Sequence, residues 1–255
     1  MKIYTLTSHV ADQLAALEAA SQRRRRVLRP LLWTLLLLIP GIVLALVWQG
    51  RTQLAGIMGG GGFVALLLLG VIAVTGPSKQ DAAIKRAGAA GEAVLPQLLR
   101  PLPDTWTLLN GVPTPGAHAD IDHVLVGPTG VWAIEAKHHV GMVQCVGDAW
   151  GYTRLGAGGI PQEGHIGNPS QQARRAAAAL EHYLQRRDLP VSVQPLVVFT
   201  HPHVVLTIEE PTLLILRATD VLGFVSTQRP LLSSADSVRV VELIRGLRPL
   251  SELDH

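Results

Sequence analysis

The sequence predicts an α/β domain, a mixed sheet flanked by helices, preceded by a two-helix transmembrane hairpin. Three observations carry this. Two long uncharged apolar runs lie near the N-terminus, two β-rich segments meet at a GPTG turn over 127–130, and the rest alternates helix-like and strand-like stretches. With 255 residues there is room for one good-sized domain and something smaller. Only 16% of the residues are charged, against about 25% in an average soluble domain, so part of the chain is expected to avoid water.

Residues 1–30 read as a cytoplasmic N-terminal segment with a basic flank, in which ADQLAALEAASQ fits a short amphipathic helix. Residues 31–48 and 54–75 contain no charged side chain. As helices they would cover ~27 and ~33 Å, near the ~30 Å hydrocarbon core of a bilayer, and they are expected to be two spans. Arg23, Arg24, Arg25, Arg26 and Arg29 precede the first; Lys79, Lys85 and Arg86, in a linker over 76–87, follow the second. The positive-inside bias then puts both termini in the cytoplasm of a two-span cell-membrane protein, with anionic lipid at the basic flanks. Gly59 to Gly62 would let the hairpin self-associate, because small residues permit close helix approach.

The cytoplasmic domain is expected over 88–255, where 12 Lys and Arg face 16 Asp and Glu, a net of −4. The overall pI of about 9.3 therefore reflects the flanks and is no argument for nucleic-acid binding. The single cysteine, Cys145, excludes an intramolecular disulfide and a cysteine-based metal cluster. A helix is expected up to about Pro96, a strand over 105–110 and a loop in GVPTPGA. IDHVLV and VWAIEAK are rich in residues that sheets favour. The glycine-rich stretch 141–167 reads as irregular, with a strand near 142–146. A helix follows with Asn168 as N-cap and Pro169 at its first position. Gln172, Ala176 and Leu180 are expected on its inner face. VQPLVVFTH, HVVLTI and LLILR are strands, and DSVRVVELIRGL is a closing helix.

If the GPTG turn pairs Val126 with Val131, Asp122 falls opposite Glu135 and Asp120 opposite Lys137. All four share one face, because residues two apart on a strand point the same way. His123, Trp132 and Ile134 take the other. Three carboxylates beside a lysine among apolar neighbours need an offset. A divalent cation such as Mg²⁺, which favours a few carboxylate oxygens together with substrate phosphate, supplies one; pairing with Lys137 under solvent is the structural alternative. His118, His138 and His139 surround the cluster but lack the spacing of a zinc site.

The pattern of an acidic residue followed by E-x-K at the end of the next strand resembles the restriction-endonuclease-like PD-(D/E)xK nucleases. The fuller string, GE at 91–92, IDHVLVGPTGVWAIEAKHHVG at 121–141 and NPSQQA at 168–173, resembles the nuclease-related domain (NERD) family over roughly 88–200. That resemblance implies a metal-dependent nuclease with Mg²⁺ or Mn²⁺ as cofactor and nucleic acid, DNA ahead of RNA, as partner, which the two expected spans would anchor to the membrane. It implies Asp122 and Glu135 as metal ligands and Glu92 as an accessory acid. Lys137 would orient the attacking water or stabilise phosphate charge, and Gln172 would support the site from its helix. Asp120 departs from the pattern and is expected to stand behind Lys137. The competing reading keeps the fold without turnover, as a tethered nucleic-acid or protein-binding scaffold.

Overall fold

The computed structural model describes residues 1–7, 9–74, 88, 91 and 93–249. The chain divides into two compact units. One combines Met1–His9 with Ala87–His255, and the other is Val10–Arg86. The sheet-bearing unit is thus discontinuous in sequence, with the helical unit inserted after its first strand.

The inserted unit contains helix α1, His9–Trp48, and helix α2, Thr52–Val74. Both apolar runs are helical, as their composition requires. Nevertheless, among the described residues no helix is long and apolar enough to cross a membrane. The two-span cell-membrane reading, with both termini cytoplasmic, is therefore corrected. The first run is the end of a 40-residue helix that also carries Arg23 to Arg26 and Arg29, with Pro30 and Pro40 inside it. The second holds Gly56, Gly59 to Gly62 and Gly70. The small residues serve contact within the chain: a Cβ on Gly62 would lie 2.7 Å from Ile39 Cγ2, and one on Gly59 3.7 Å from Val43 Cγ2. The findings support neither a lipid partner nor self-association. The linker over 76–87 lies outside the described residues.

In the other unit, the N-terminal residues expected to precede an amphipathic helix instead form strand β1, Lys2–Thr5. Helix α3 follows the insertion over 93–99 and runs through Pro96, because its buried Leu95 and Leu99 anchor both sides of that residue. Then come β2, Thr107–Pro113; β3, Asp120–Gly127; β4, Gly130–Lys137; β5, Gly141–Val146; β6, Ala149–Leu155; and β7, Pro161–Glu163. Helix α4, Pro169–Gln185, β8, Val193–Phe199, β9, Val204–Glu209, and β10, Leu214–Arg217, lead to α5, Ala218–Thr227, and α6, Ser234–Arg245.

Among the described residues these strands make two sheets, ordered β1-β2-β3-β4-β8-β10 and β7-β6-β5-β9. The first is mixed: β1 with β2, β4 with β8 and β8 with β10 are parallel, and β2-β3-β4 is an antiparallel meander. Period two sorts its side chains. Val124, Val126, Val131 and Ala133 pack on Ala177, Leu180 and Leu184 of α4 and Val240 and Ile244 of α6. Leu125, Trp132 and Ile134 pack on Leu95 and Leu99 of α3 and Val221 and Val225 of α5. A third core joins β5 and β9 to Val197 and Phe199 of β8 and Ala173 of α4. The mixed α/β architecture with helices on both sheet faces follows from this sorting.

Candidate metal and phosphate site at a strand fork

The β3–β4 hairpin has the register expected from the GPTG turn: Val126 lies opposite Val131, and the ladder continues to His123 opposite Ile134. There the two strands part. Strand β3 continues on β2, with Ile121 opposite Val112 and Asp120 opposite Pro113. Strand β4 continues on β8, with Glu135, Ala136 and Lys137 opposite Val197, Val198 and Phe199. Asp122 and Glu135 are the first residues past the fork, one on each branch, and both are in phase with the α4-facing side chains. A parting pair of strands leaves backbone groups to be satisfied, and here a side chain does it: the Ala136 N–H donates to Asp122 Oδ2 at 2.8 Å.

Lys137 Nζ donates to Glu135 Oε1 at 2.6 Å, with the two side chains 16% and 14% exposed. Flanking residues on one strand face form this pair because i and i+2 project together. The Asp120 carboxylate accepts a hydrogen bond from the Thr7 hydroxyl, a partner 113 positions away in the sequence. The structure therefore places Asp122, Glu135 and Lys137 together at the fork, with Asp120 on the β3 branch. Glu92 lies outside the described residues. Gln172 is exposed on the first turn of α4; the buried face is Ala173, Ala177, Leu180 and Leu184, so Leu180 is inward as expected while Gln172 and Ala176 are each one position off that face, and among the described residues no hydrogen bond joins Gln172 to Glu135 or Lys137. The N-terminus of that helix is as expected, with Asn168 accepting from the Gln171 N–H at 2.9 Å and Pro169 at the first position.

Histidines ring the end of β4. His138 Nδ1 meets Thr200 Oγ1 at 3.0 Å, and its ring contacts that of His201. Burial, then the nearby His201 charge, lowers its pKa. His139 stands edge-on to Tyr152, and its pKa is lowered by burial first and then by Lys137 and His138. Both favour the neutral imidazole. His123 is sealed on the other sheet face, where burial takes its pKa to about 4. Its Nδ1 lies 2.8 Å from Asn110 Oδ1, which makes Nδ1 the protonated nitrogen. Arg174 on α4 is held by Asp148 and Thr212.

A cleft of about 270 Å³ opens between β1, β2 and α6, but it borders Val126 and Pro128, at the other end of β3 from Asp122. The candidate residues Asp122, Glu135 and Lys137 sit at the fork instead. Among the described residues no three His, Cys, Asp or Glu side chains form a metal-binding group. The donors present still suit Mg²⁺ or Mn²⁺, since Mg²⁺ is usually held by one or two carboxylates plus water and phosphate. A carboxylate has about four acceptor sites, so accepting hydrogen bonds is compatible with binding a cation.

Two carboxylates on diverging strands, with a lysine two residues after the second, form the candidate site on a mixed α/β scaffold. Residues 87–200 match the family model described as nuclease-related domain (NERD), which supports a NERD segment within the chain. No curated protein and no solved structure matches it.

Proposed function

We propose that this chain is a metal-dependent nuclease of the restriction-endonuclease-like PD-(D/E)xK kind, hydrolysing phosphodiester bonds of nucleic acid, DNA ahead of RNA. The observation that carries the proposal is the fork: one carboxylate on each parting strand and Lys137 beside them, within a NERD segment. Asp122 and Glu135 would hold Mg²⁺ or Mn²⁺, with Glu92 as a third acid. When bound, the ion supplies a more acidic water and positive charge against the scissile phosphate.

The chain's own residues do the positioning. The Ala136 N–H fixes the Asp122 carboxylate, so that the β3 branch is tied to the β4 branch where the ladder ends. Glu135 holds the Lys137 ammonium at the fork, where Lys137 can donate to an attacking water or to a phosphate oxygen as its negative charge grows. Neutral His138 and His139 add hydrogen-bonding capacity without repelling Lys137. Gln172 lies on the exposed first turn of α4, and the positioning role falls to Ala136 and Glu135.

Calorimetric titration of the full chain with Mn²⁺ tests the ligand assignment. Heat of binding in the wild type that disappears in both Asp122→Asn and Glu135→Gln supports it. Unchanged binding in both variants refutes it.

A further inference from the structure

The family match begins at residue 87, yet the first seven residues are built into the same unit and reach the fork. Strand β1 pairs with β2, Thr5 opposite Asn110. Beyond it the chain stays clamped: Leu6 N–H donates to Asn110 O at 2.9 Å and Thr7 N–H to Gly111 O at 3.0 Å. Gly111 has φ +58°, and a Cβ there would lie 2.2 Å from Thr7 O. Only glycine allows that approach.

From this clamp two side-chain links run to β3, one on either side of Asp122. The Thr7 hydroxyl lies 2.9 Å from Gly111 O and bonds the Asp120 carboxylate. Asn110 Nδ2 donates to Thr5 Oγ1 at 3.5 Å, and its Oδ1 accepts from His123. The fork makes these links matter. Past His123, strand β3 has lost its β4 ladder, so the branch carrying Asp122 is located by β2, by the Ala136 N–H and by Thr7.

We propose that Thr7 is a positioning residue of the acidic site, acting through Asp120 to hold the β3 branch, so that the N-terminal strand is a working part of the unit. The proposal rests on the nuclease reading. The variants are Thr7→Val, which keeps the shape and loses the hydroxyl, and Thr7→Ser, which keeps the hydroxyl, in the full chain. Cleavage of linear and supercoiled DNA with Mn²⁺ is measured beside amide hydrogen exchange over 119–123. A displacement of ~1 Å in a catalytic group costs about 100-fold, so Thr7→Val is expected to lower kcat roughly 10- to 100-fold, with KM little changed. Exchange over 119–123 should quicken, and Thr7→Ser should recover both. A Thr7→Val chain with wild-type kcat or wild-type exchange overturns the proposal, as does a Thr7→Ser chain as impaired as Thr7→Val. If the wild type cleaves nothing, the nuclease reading fails by itself, and unchanged exchange in Thr7→Val then overturns the positioning role separately.

Discussion

Asp122 carries two separable loads, and two substitutions at that position tell them apart. Its Oδ2 accepts from Ala136 N–H at 2.8 Å, satisfying a half-buried backbone donor where β3 and β4 part, while its charge is assigned to the metal. Asp122→Ala removes the acceptor, and a buried donor left unsatisfied costs about 1–3 kcal/mol. For a unit of this size each kcal/mol shifts Tm by about 2–4 °C, so Asp122→Ala is expected to melt lower by roughly 2–12 °C. Asp122→Asn keeps an oxygen acceptor in nearly the same place and is expected to melt close to wild type. Both should lose Mn²⁺ binding and cleavage. Thermal unfolding by circular dichroism, run beside the Mn²⁺ titration, makes the comparison. Equal destabilisation by Asn and Ala would refute the separation, and a wild-type Tm for Asp122→Ala would show that the Ala136 bond carries no weight.

Two other perturbations follow from packing and protonation. A Cβ on Gly127 would lie 2.2 Å from Trp106 Cε3, and Trp106 is itself buried, so Gly127→Ala is expected to cost about 1–3 kcal/mol in urea unfolding. The same change at Gly223, in α5 with open space around it, should stabilise by about 0.5–1 kcal/mol; the reverse order would contradict the packing described. His123 has its pKa lowered from 6.5 to about 4 by burial. Between those values the unfolded chain takes up a proton that the native chain refuses, so its contribution to stability is full above 6.5 and falls by about 1.4 kcal/mol per pH unit as the pH drops towards 4. His138 and His139 act in the same direction. Urea unfolding across that window should show a shallower slope in His123→Phe, and an unchanged slope would mean that His123 is not the group responsible.

The local signals in the sequence were read well where one segment decides its own structure. The GPTG turn and period-two alternation give the register of β3 on β4, and Asn168 and Pro169 give the start of α4. Errors arose where distant partners decide. Alanines on every side of α4 left its buried face ambiguous, so Gln172 was put one position out of phase with Ala173. Strand β6 is hidden in the sequence because Gly147 and Gly151 resemble loop residues, whereas the first supplies a positive φ between β5 and β6 and the second lies within the β6 ladder opposite Gln144. Lys2–Thr5 is too short to announce itself as a strand, and it pairs with residues beyond the insertion. The sequence predicts Asp122 opposite Glu135 and Asp120 opposite Lys137, whereas the β3–β4 ladder ends at His123 and Ile134 and Asp120 lies opposite Pro113. The parting of the strands was not legible, because it depends on β2 and β8 each claiming one branch.

The most direct test is cleavage by the full chain of linear and circular DNA and of RNA with Mg²⁺ or Mn²⁺, compared with Glu135→Ala and Lys137→Ala. A metal-dependent nuclease built on this fork predicts metal-dependent cleavage by the wild type and loss of cleavage in both variants. Cleavage that persists in both, or none on any substrate while Mn²⁺ binds, would contradict it.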